Sequence, residues 1–308
     1  MEMISIIVPC FNEQENINIF YEYLIKIFKN MDCDFEIIFV DDGSQDKTLD
    51  EIKKLSNYNN KIKYISFSRN FGKESAIFAG FEKYKGDYVT IMDADLQDPP
   101  ELLIDMYHTI RNELYDCVAA RRITRTNESK LRSFLSKKFY SIINKISEVE
   151  IADGARDYRL MTRKMVNAIL SMKECTRFSK GIFSWVGFHT KWLSYKNITR
   201  TNGKTSWSLI KLFSYAINGI TSFSDLPLSI SSLLGILMCL ISFIMICIII
   251  FKTLIFGDPT SGYPSLICTI VFIGGIQLFC IGILGQYLSK VYIEVKKRPM
   301  YIIKEEKI

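Results

Sequence analysis

The chain has 308 residues, of which 48% are hydrophobic, and it carries a formal net charge of +6. This charge is too small to argue for nucleic acid, although it suits an anionic membrane surface and phosphorylated substrates. Only two histidines are present and the eight cysteines form no C-x-x-C pair, which argues against histidine-based catalysis, thiolate metal sites and a disulfide framework.

The first 120 residues alternate short apolar runs with segments of helical periodicity. Strands are predicted over five ranges: 3–9, 35–40, 62–67, 88–92 and 115–120. Helices are predicted between them: a segment ending at residue 30, then 48–55, 73–85 and a segment opened by the prolines at 99 and 100. This alternation favours a doubly wound parallel sheet, and ligands of such sheets bind at the carboxyl ends of the strands.

The fourth predicted strand is followed by the sequence Asp-Ala-Asp at 93–95. Two carboxylates at this spacing can face one divalent cation, and Gln97 adds a neutral oxygen nearby. Hard oxygen ligands of this kind suit Mg²⁺ or Mn²⁺. Aspartate is also common in turns after strands, so a simple turn is the alternative at this stage.

Two other stretches have the composition of a ligand site. Asp41 and Asp42 close the second predicted strand, where a carboxylate can accept a hydrogen bond from a ribose hydroxyl or a base N–H. The alternative is a turn formed with Gly43. Lys73 opens the helix after Asn-Phe-Gly and offers an anion both a positive charge and a helix N-terminus, although a helix entry without a ligand explains it as well.

The last third of the chain is strongly apolar. Residues 226–251 and 259–289 contain no charged side chain, and each stretch exceeds the ~20 residues that span a bilayer. Two buried core helices are the alternative. Amphipathic stripes at 131–146 and 204–224 fit either core packing or an interfacial helix. We favour the interface for 204–224, because it contains tryptophan and leads directly into a span.

Several sequence stretches occur in a fixed order along the chain. They are SIIVPCFNEQEN at 5–16, VDDGSQDKT at 40–48, RNFGKESAIFAG at 69–80, DADLQDPPE at 93–101, RDYRLMTRK at 156–164, RFSKGIFSWVGF at 177–188 and KKRPMYII at 296–303. Together they resemble family 2 glycosyltransferases of the polyprenyl-phosphate branch, the group of undecaprenyl-phosphate and dolichol-phosphate mannose synthase-like enzymes. The resemblance implies an α/β fold of the GT-A type, a Rossmann-like doubly wound mixed sheet followed by amphipathic interfacial helices and a two-helix transmembrane hairpin.

The resemblance also implies roles for the matching residues. Nucleotide-sugar binding is expected of Pro9, Asn12, Glu13, Asp41, Asp42, Lys73, Asp93 and Ala94. The metal, Mg²⁺ or Mn²⁺, is expected on Asp93, Asp95 and Gln97. The acceptor phosphate is expected on Arg122, Arg125, Arg132, Ser136 and Arg200, because the planar guanidinium grips phosphate oxygens. Asp157 and Asp95 are the catalytic candidates.

One of these residues has an alternative explanation, and one stretch of the chain departs from the family pattern. A solvated face of the amphipathic helix is the alternative for Arg132. The family pattern is broken within 195–207, where Asn197 and Ser206 stand in place of basic residues and Trp207 in place of tyrosine. Among contacts in that stretch, only Arg200 is carried over from the family.

The implied reaction is inverting transfer of a hexose, glucose or N-acetylglucosamine, from a UDP-sugar to undecaprenyl phosphate. The product would be a lipid-linked donor for modification of cell-envelope glycans. A phosphate monoester has a second pKa of about 6 and is mostly dianionic at neutral pH. Asp157, at the position where the family's base is usually drawn, is therefore expected to orient groups rather than to remove a proton.

Other functions fit parts of the sequence. A GDP-mannose-dependent polyprenyl-phosphate mannosyltransferase and a non-catalytic scaffold for export of lipid-linked sugars are the alternatives. A processive polysaccharide synthase is disfavoured, because 177–188 contains no Q-x-x-R-W motif and two spans cannot enclose a polymer channel. Relatives suggest a homo-oligomer, a tetramer.

The charge distribution predicts a membrane topology. The short apolar run at the N-terminus is unlike a signal peptide, and residues 290–308 carry six lysines and arginines against three glutamates. Because Lys and Arg favour the cytoplasmic side, both termini and the catalytic domain are expected in the cytoplasm of a multi-pass plasma-membrane protein. The expected units are a GT-A domain at 1–203, an interfacial helix at 204–225, two transmembrane helices within 226–289 (about 226–251 and 264–288) and a basic tail at 290–308.

Overall fold

The computed structural model describes residues 1–122, 144, 154–175, 177–195, 221, 224, 226–256 and 262–308. The strands within them are β1 (Met3–Cys10), β2 (Asp34–Asp41), β3 (Ile62–Phe67), β4 (Tyr88–Ile91), β5 (Cys117–Arg122), β6 (Ala155–Thr162), β7 (Thr190–Tyr195) and β8 (Ile303–Lys307). The helices are α1 (Ile17–Phe28), α2 (Thr48–Tyr58), α3 (Lys73–Lys83), α4 (Leu102–Asn112), α5 (Arg163–Ser171), α6 (Ser179–Trp185), α7 (Leu226–Phe256) and α8 (Tyr263–Lys296).

The strands form one mixed sheet in the order β7-β5-β6-β4-β1-β2-β3-β8. β2 and β4 flank β1 in parallel, and β3 and β7 pair in parallel with β2 and β5. β6 is antiparallel to β4 and β5, and β8 is antiparallel to β3. The mixed sheet of the GT-A type is thus confirmed. The five strands predicted from the strand–helix alternation all run in the same direction, and the antiparallel strands β6 and β8, which the alternation did not cover, make the sheet mixed.

The apolar runs of the sequence become strands with both faces covered. Ile6 and Ile7 of β1 are completely buried on opposite faces. One face packs against α1, α2 and α4, and the other against α3, α5 and α6. The second contact is close, since a Cβ added at Gly80 of α3 would lie 2.4 Å from Cγ2 of Ile7. A side chain larger than hydrogen at residue 80 would therefore push α3 away from the central strand.

The tail after α8 returns to the edge of the sheet as β8, a strand that the sequence analysis did not predict. Tyr301 stacks on Phe67 of β3 with ring centroids 4.8 Å apart, and its hydroxyl donates to Glu82. Glu305 pairs with Lys53 at 2.7 Å. The charged residues of the tail resemble a solvated segment. They also suit an edge strand, because charged side chains protect an exposed edge from further pairing.

Helices α7 and α8 are long and expose apolar side chains along their length. They contain 31 and 34 residues, or roughly 45–50 Å at ~1.5 Å per residue, against a hydrocarbon core of ~30 Å. By length and composition, the windows Leu226–Met245 and Phe272–Lys296 can each cross a membrane, and none of the side chains described within them is buried. This exposure contradicts the alternative of two buried core helices.

Candidate active site

The register of β6 brings together residues that lie far apart in the sequence. Because β6 runs antiparallel to β4, Arg159 pairs with Ile91, and the start of β6 lies beside the end of β4. Asp157 is two residues before Arg159, and Asp93 is two residues after Ile91. The two aspartates consequently lie at the same edge of the sheet, the edge at which β1, β2 and β4 end.

Lys73 links these two aspartates. Its Nζ lies 2.7 Å from Oδ1 of Asp93 and 2.9 Å from Oδ2 of Asp157. Lys73 is the first residue of α3, so its backbone and its ammonium both bring positive charge to this edge. Partial removal from water by itself lowers the pKa of Lys73, but the carboxylates of Asp93 and Asp157 outweigh this effect and hold the pKa well above its usual value. Lys73 is therefore a permanent cation.

The charge state of Asp157 follows from the same contacts. Burial by itself raises the pKa of Asp157, but the neighbouring ammonium of Lys73, followed by Lys180 and Arg159, holds it well below its usual range. Asp157 is thus ionised at any physiological pH and is a poor proton acceptor. A carboxylate in this state is suited to holding a cation or a hydrogen-bond donor in position.

A third carboxylate, Glu74, lies next to Lys73 and Asp157. The backbone N–H of Ser179 donates to Glu74 Oε2 at 3.2 Å, and the Ser179 hydroxyl donates to the same oxygen. Burial and the charge of Asp157 raise the pKa of Glu74, although the bonds from Ser179 oppose this shift. The contact fastens the start of α6 to the start of α3. Neither residue was assigned a role from the sequence, although both lie in stretches that carried the family resemblance.

The loop after β4 carries the predicted metal ligands. The Gln97 N–H donates to Asp95 Oδ1 at 3.2 Å, and Leu96 between them is left-handed, with φ at 54°. A leucine in this conformation costs about 1–2 kcal/mol, so the loop keeps this shape only because its surroundings hold it. Leu96 itself packs against the core on the α1 and α4 side of the sheet.

The donor atoms of this loop fit a divalent cation shared with a ligand. Within the described part of the chain, no three His, Cys, Asp or Glu side chains gather closely enough to form a complete metal site. Asp93, Asp95 and Gln97 nevertheless offer hard oxygens from one short turn. Magnesium and manganese are commonly held by one or two carboxylates plus substrate phosphates, so a partial protein shell is the expected arrangement.

Asp98 ends the same loop and is held from two other strands. The hydroxyl of Tyr195, the last residue of β7, donates to Asp98 Oδ1. Nε of Arg156 in β6 lies 3.3 Å from the same oxygen, an ion-pair distance, although its N–H makes no hydrogen bond within the described residues. Burial raises the pKa of Asp98, while Arg156 and the Tyr195 hydroxyl oppose that shift. The sequence analysis did not single out any of these three residues.

Asp41 and Asp42 are almost fully buried at the end of β2. Asp41 accepts from the Ser66 hydroxyl at 2.8 Å and from the Ser44 N–H at 3.1 Å. Asp42 accepts from the backbone N–H groups of the loop before α3, at 2.6 Å from residue 71 and 2.9 Å from residue 72. Burial raises the pKa of Asp42, against the effect of those two bonds. The bond from Ser44 to Asp41 is of the kind that the turn alternative expected, whereas Asp42 holds a different loop, and contact of either aspartate with a nucleotide stays a prediction.

The loop after β1 is tied to the loop after β2. The Asn12 N–H donates to the Ser44 hydroxyl, and the Gln45 N–H donates to Asn12 Oδ1, both at 2.9 Å. The Glu13 N–H donates to Thr48 Oγ1 at 2.8 Å. The two loops thus form one wall beside the carboxyl ends of β1 and β2. This is the wall on which nucleotide binding was predicted.

The remaining predicted residues divide into two groups. Pro9 lies near the end of β1, Ala94 is buried between the two aspartates of the metal loop, and Arg122 ends β5 with its N–H donating to the Gly154 carbonyl at 3.1 Å. The other acceptor-phosphate candidates lie outside the described residues: Arg125, Arg132, Ser136 and Arg200. Nearly all of the amphipathic segments at 131–146 and 204–224 also lie outside them.

Comparison with known families identifies the class of this site. A family model described as Glycosyl transferase family 2 matches residues 5–170, more than half of the chain. The chain belongs to glycosyl transferase family 2. The matched region begins in β1 and ends in α5, so it contains Lys73, Asp93 and Asp157. The family predicted from the sequence motifs is confirmed, and the protein is a glycosyltransferase.

Relatives of this glycosyltransferase match it over nearly its full length. A Bacillus subtilis protein named as a glycosyltransferase, CsbB, is 46% identical over 306 residues, 99% of this chain and 92% of that protein. The bactoprenol glucosyl transferase of Shigella phage SfV is 41% identical over 304 residues, 99% of each chain. The prophage bactoprenol glucosyl transferase homolog of Escherichia coli strain K12 is also 41% identical over 304 residues, again 99% of each chain. The similarity includes the two apolar helices.

Proposed function

We propose that this glycosyltransferase moves glucose from a nucleotide-linked donor to the phosphate of a membrane polyprenyl carrier. The observation that carries the proposal is 41% identity over nearly the whole chain to proteins named bactoprenol glucosyl transferase. The cluster of Lys73, Asp93 and Asp157 at one sheet edge supplies the charged groups that such a transfer needs. The sequence left glucose and N-acetylglucosamine open, and the names of these relatives favour glucose.

The donor in this proposal is a UDP-sugar held with Mg²⁺ or Mn²⁺. Asp93, Asp95 and Gln97 would hold the cation, which would supply positive charge opposite the leaving diphosphate. Lys73 places a permanent positive charge beside the same loop. The wall formed by the loops after β1 and β2 would take the nucleotide.

The acceptor in this proposal is a phosphate monoester. One of its oxygens forms a bond to the anomeric carbon while the bond from that carbon to the donor diphosphate breaks, and the diphosphate leaves with the electron pair. A dianionic phosphate has no proton to lose at this step. Asp157, held ionised by Lys73, is therefore assigned an orienting role, in agreement with its depressed pKa.

A membrane location completes the proposal. The exposed apolar surfaces of α7 and α8 would lie among lipids, and the phosphate of a polyprenyl lipid lies at headgroup level. Because β8 pairs with β3, the segment after α8 lies on the same side of the hairpin as the sheet. This pairing supports placing the tail and the catalytic domain on the same face of the membrane, and the excess of Lys and Arg in the tail favours the cytoplasmic face of the plasma membrane. Homo-oligomerisation stays a prediction from the family resemblance.

A transfer assay in detergent tests this function. The full chain is incubated with undecaprenyl phosphate, Mg²⁺ or Mn²⁺, and in turn UDP-glucose, UDP-N-acetylglucosamine, UDP-galactose or GDP-mannose. We expect a glycolipid from UDP-glucose, none from Asp95→Asn, and wild-type yield from Asp105→Asn, which changes an exposed aspartate of α4.

Other results would contradict the proposal at identifiable points. A glycolipid formed from another donor instead would overturn the assignment of glucose. A folded protein that binds a nucleotide but makes no glycolipid from any donor would favour the non-catalytic scaffold.

A further inference from the structure

The ion cluster at Asp98 joins three parts of the chain that have separate predicted roles. Asp98 ends the loop that carries the metal-ligand candidates, and Arg156 directly precedes Asp157 in β6. Tyr195 ends β7 and pairs in register with Arg122, an acceptor-phosphate candidate on β5. One carboxylate therefore connects the donor loop, the catalytic strand and the acceptor side.

The position of Asp98 makes it an anchor for the donor loop. Its side chain is only 11% exposed, and it accepts from the buried Tyr195 while lying within ion-pair distance of Arg156. The opposite end of the loop continues from β4 through Asp93, which is held by Lys73. The loop is thus fixed at both ends by charged contacts to other elements.

Between these two anchors the loop has a strained backbone conformation, which needs contacts with the surrounding elements to persist. Leu96 is left-handed, and this conformation lets the chain turn so that the Gln97 N–H reaches Asp95 Oδ1. A strained residue of this kind persists where its surroundings over-determine it. Release of the Asp98 anchor would let the loop relax, and Asp95 and Gln97 would move relative to each other.

The catalytic role of Asp157 does not use this cluster. Arg156 and Asp157 are consecutive in a strand, so their side chains point to opposite faces of the sheet. Arg156 consequently faces the side of α4, whereas Asp157 faces Lys73. The cluster is joined to Asp157 through the backbone of β6 and to Asp95 and Gln97 through the backbone of the loop.

We propose that Asp98 is a positioning residue of the donor site, which holds the loop of Asp95 and Gln97 in its metal-binding shape through contacts with Arg156 and Tyr195. The inference rests on the proposed function, because it assumes that this loop binds a metal and the diphosphate of a donor. Outer contacts that orient metal ligands typically change metal affinity or activity ~10–100-fold when removed.

Binding of UDP with Mn²⁺ to the full-length protein in detergent tests the inference without catalysis. We expect Asp98→Ala to weaken this binding at least ~10-fold, within the range found for outer contacts of metal sites. Asp98→Asn keeps an acceptor for Tyr195 but loses the charge that faces Arg156, and Tyr195→Phe removes one hydroxyl. We expect smaller losses in the same direction from both. Asp105→Ala, an exposed aspartate seven residues further along the chain, is the matched control and should bind as the wild type does.

Thermal unfolding of the same samples separates positioning from general stability. Weakened binding of UDP with Mn²⁺ in Tyr195→Phe and Asp98→Asn, at an unfolding midpoint near that of the wild type, supports the inference even if Asp98→Ala does not fold. Wild-type affinity in both variants, with or without a lower midpoint, would overturn it and leave Asp98 a purely structural residue. A folded wild type that binds no UDP with Mn²⁺ would contradict the proposed donor site itself and the inference with it.

Discussion

Lys73 places one positive charge between two carboxylates that belong to different strands. Asp93 and Asp157 would repel each other without it, and Asp157 would be easier to protonate. The ion pair also sets the orientation of Asp157 before any ligand arrives. At the scale of single residues, this contact sets the charge state of Asp157.

Neutralising Lys73 tests this dependence. We expect Lys73→Met to lower the rate of glucose transfer ~100-fold or more, since removal of one preorganised electrostatic partner commonly has such an effect. Lys73→Arg should recover part of the rate because it keeps the charge. Lys54→Met changes an exposed lysine of α2 and should have no effect. Activity of Lys73→Met within a few-fold of wild type would show that the charge of Lys73 does not contribute to the transfer rate.

The depressed pKa of Asp157 predicts a pH profile. Free aspartate titrates near pH 4, and a lower folded-state value means that Asp157 stays ionised throughout the neutral and mildly acidic range. Its contribution to stability is therefore present above about pH 4 and is lost only below that pH, as the pH falls towards the folded-state pKa. A fall in transfer rate near pH 6 would instead report protonation of the acceptor phosphate.

Transfer rates of wild type and Asp157→Asn between pH 5 and pH 8 distinguish protonation of Asp157 from protonation of the acceptor phosphate. We expect a slower variant that keeps the acidic limb of the wild-type profile. Loss of many thousandfold in rate, together with disappearance of that limb, would identify Asp157 as a true base.

At the scale of elements, two antiparallel strands complete the sheet, and one of them decides where the site lies. The antiparallel entry of β6 between β4 and β5 brings Asp157 to Asp93, and the entry of β8 closes the edge at β3. The pairing of β8 depends on Tyr301, which stacks on Phe67 and binds Glu82. The tail is therefore part of the catalytic domain's fold.

Removal of the Tyr301 ring should destabilise the catalytic domain. We expect Tyr301→Ala to lower its free energy of unfolding by ~1–3 kcal/mol, because a stacked and partly buried aromatic ring is lost. Tyr301→Phe keeps the stacking and should cost about 1 kcal/mol or less. Denaturant unfolding in detergent provides the measurement, with Tyr58→Ala as the control at an exposed tyrosine. Equal stability of Tyr301→Ala and wild type would mean that β8 adds nothing to the domain.

At the scale of the whole molecule, the two long helices are joined to the catalytic domain through the tail that follows them. The chain leaves the described catalytic residues, runs through α7 and α8, and returns to the sheet at β8. An anchor joined to the domain in this way limits how far the site can move from the membrane surface. Such an arrangement suits an acceptor whose phosphate is confined to the headgroup layer.

Deletion of residues 226–289 tests whether the helices help to dock the acceptor. We expect activity on a long-chain polyprenyl phosphate to fall far more than activity on a short, water-soluble phosphate analogue, because only the long acceptor is presented by the membrane. Retained binding of UDP with Mn²⁺ controls for folding of the shortened protein. An equal loss of activity on both acceptors would refute a docking role for the hairpin.

Local patterns in the sequence were sufficient for much of this description. Buried apolar runs identified five strands, the Asp-Ala-Asp sequence marked the end of one of them, and two long uncharged stretches identified the apolar helices. The order of the motifs identified the family. Each of these features is set by residues close together in the sequence, so it can be recognised without knowledge of the fold.

Only the tertiary structure decided which distant residues meet. Tyr195 and Asp98 are 97 positions apart, and Lys73 reaches Asp157 only because β6 enters the sheet antiparallel to β4. Strand register and direction depend on packing of the complete sheet, for which no short segment carries a signal. For the same reason the sequence analysis assigned the residues of β8 to a basic tail rather than to the sheet. The sequence by itself determined the kinds of groups in the site, and the sheet determined their partners.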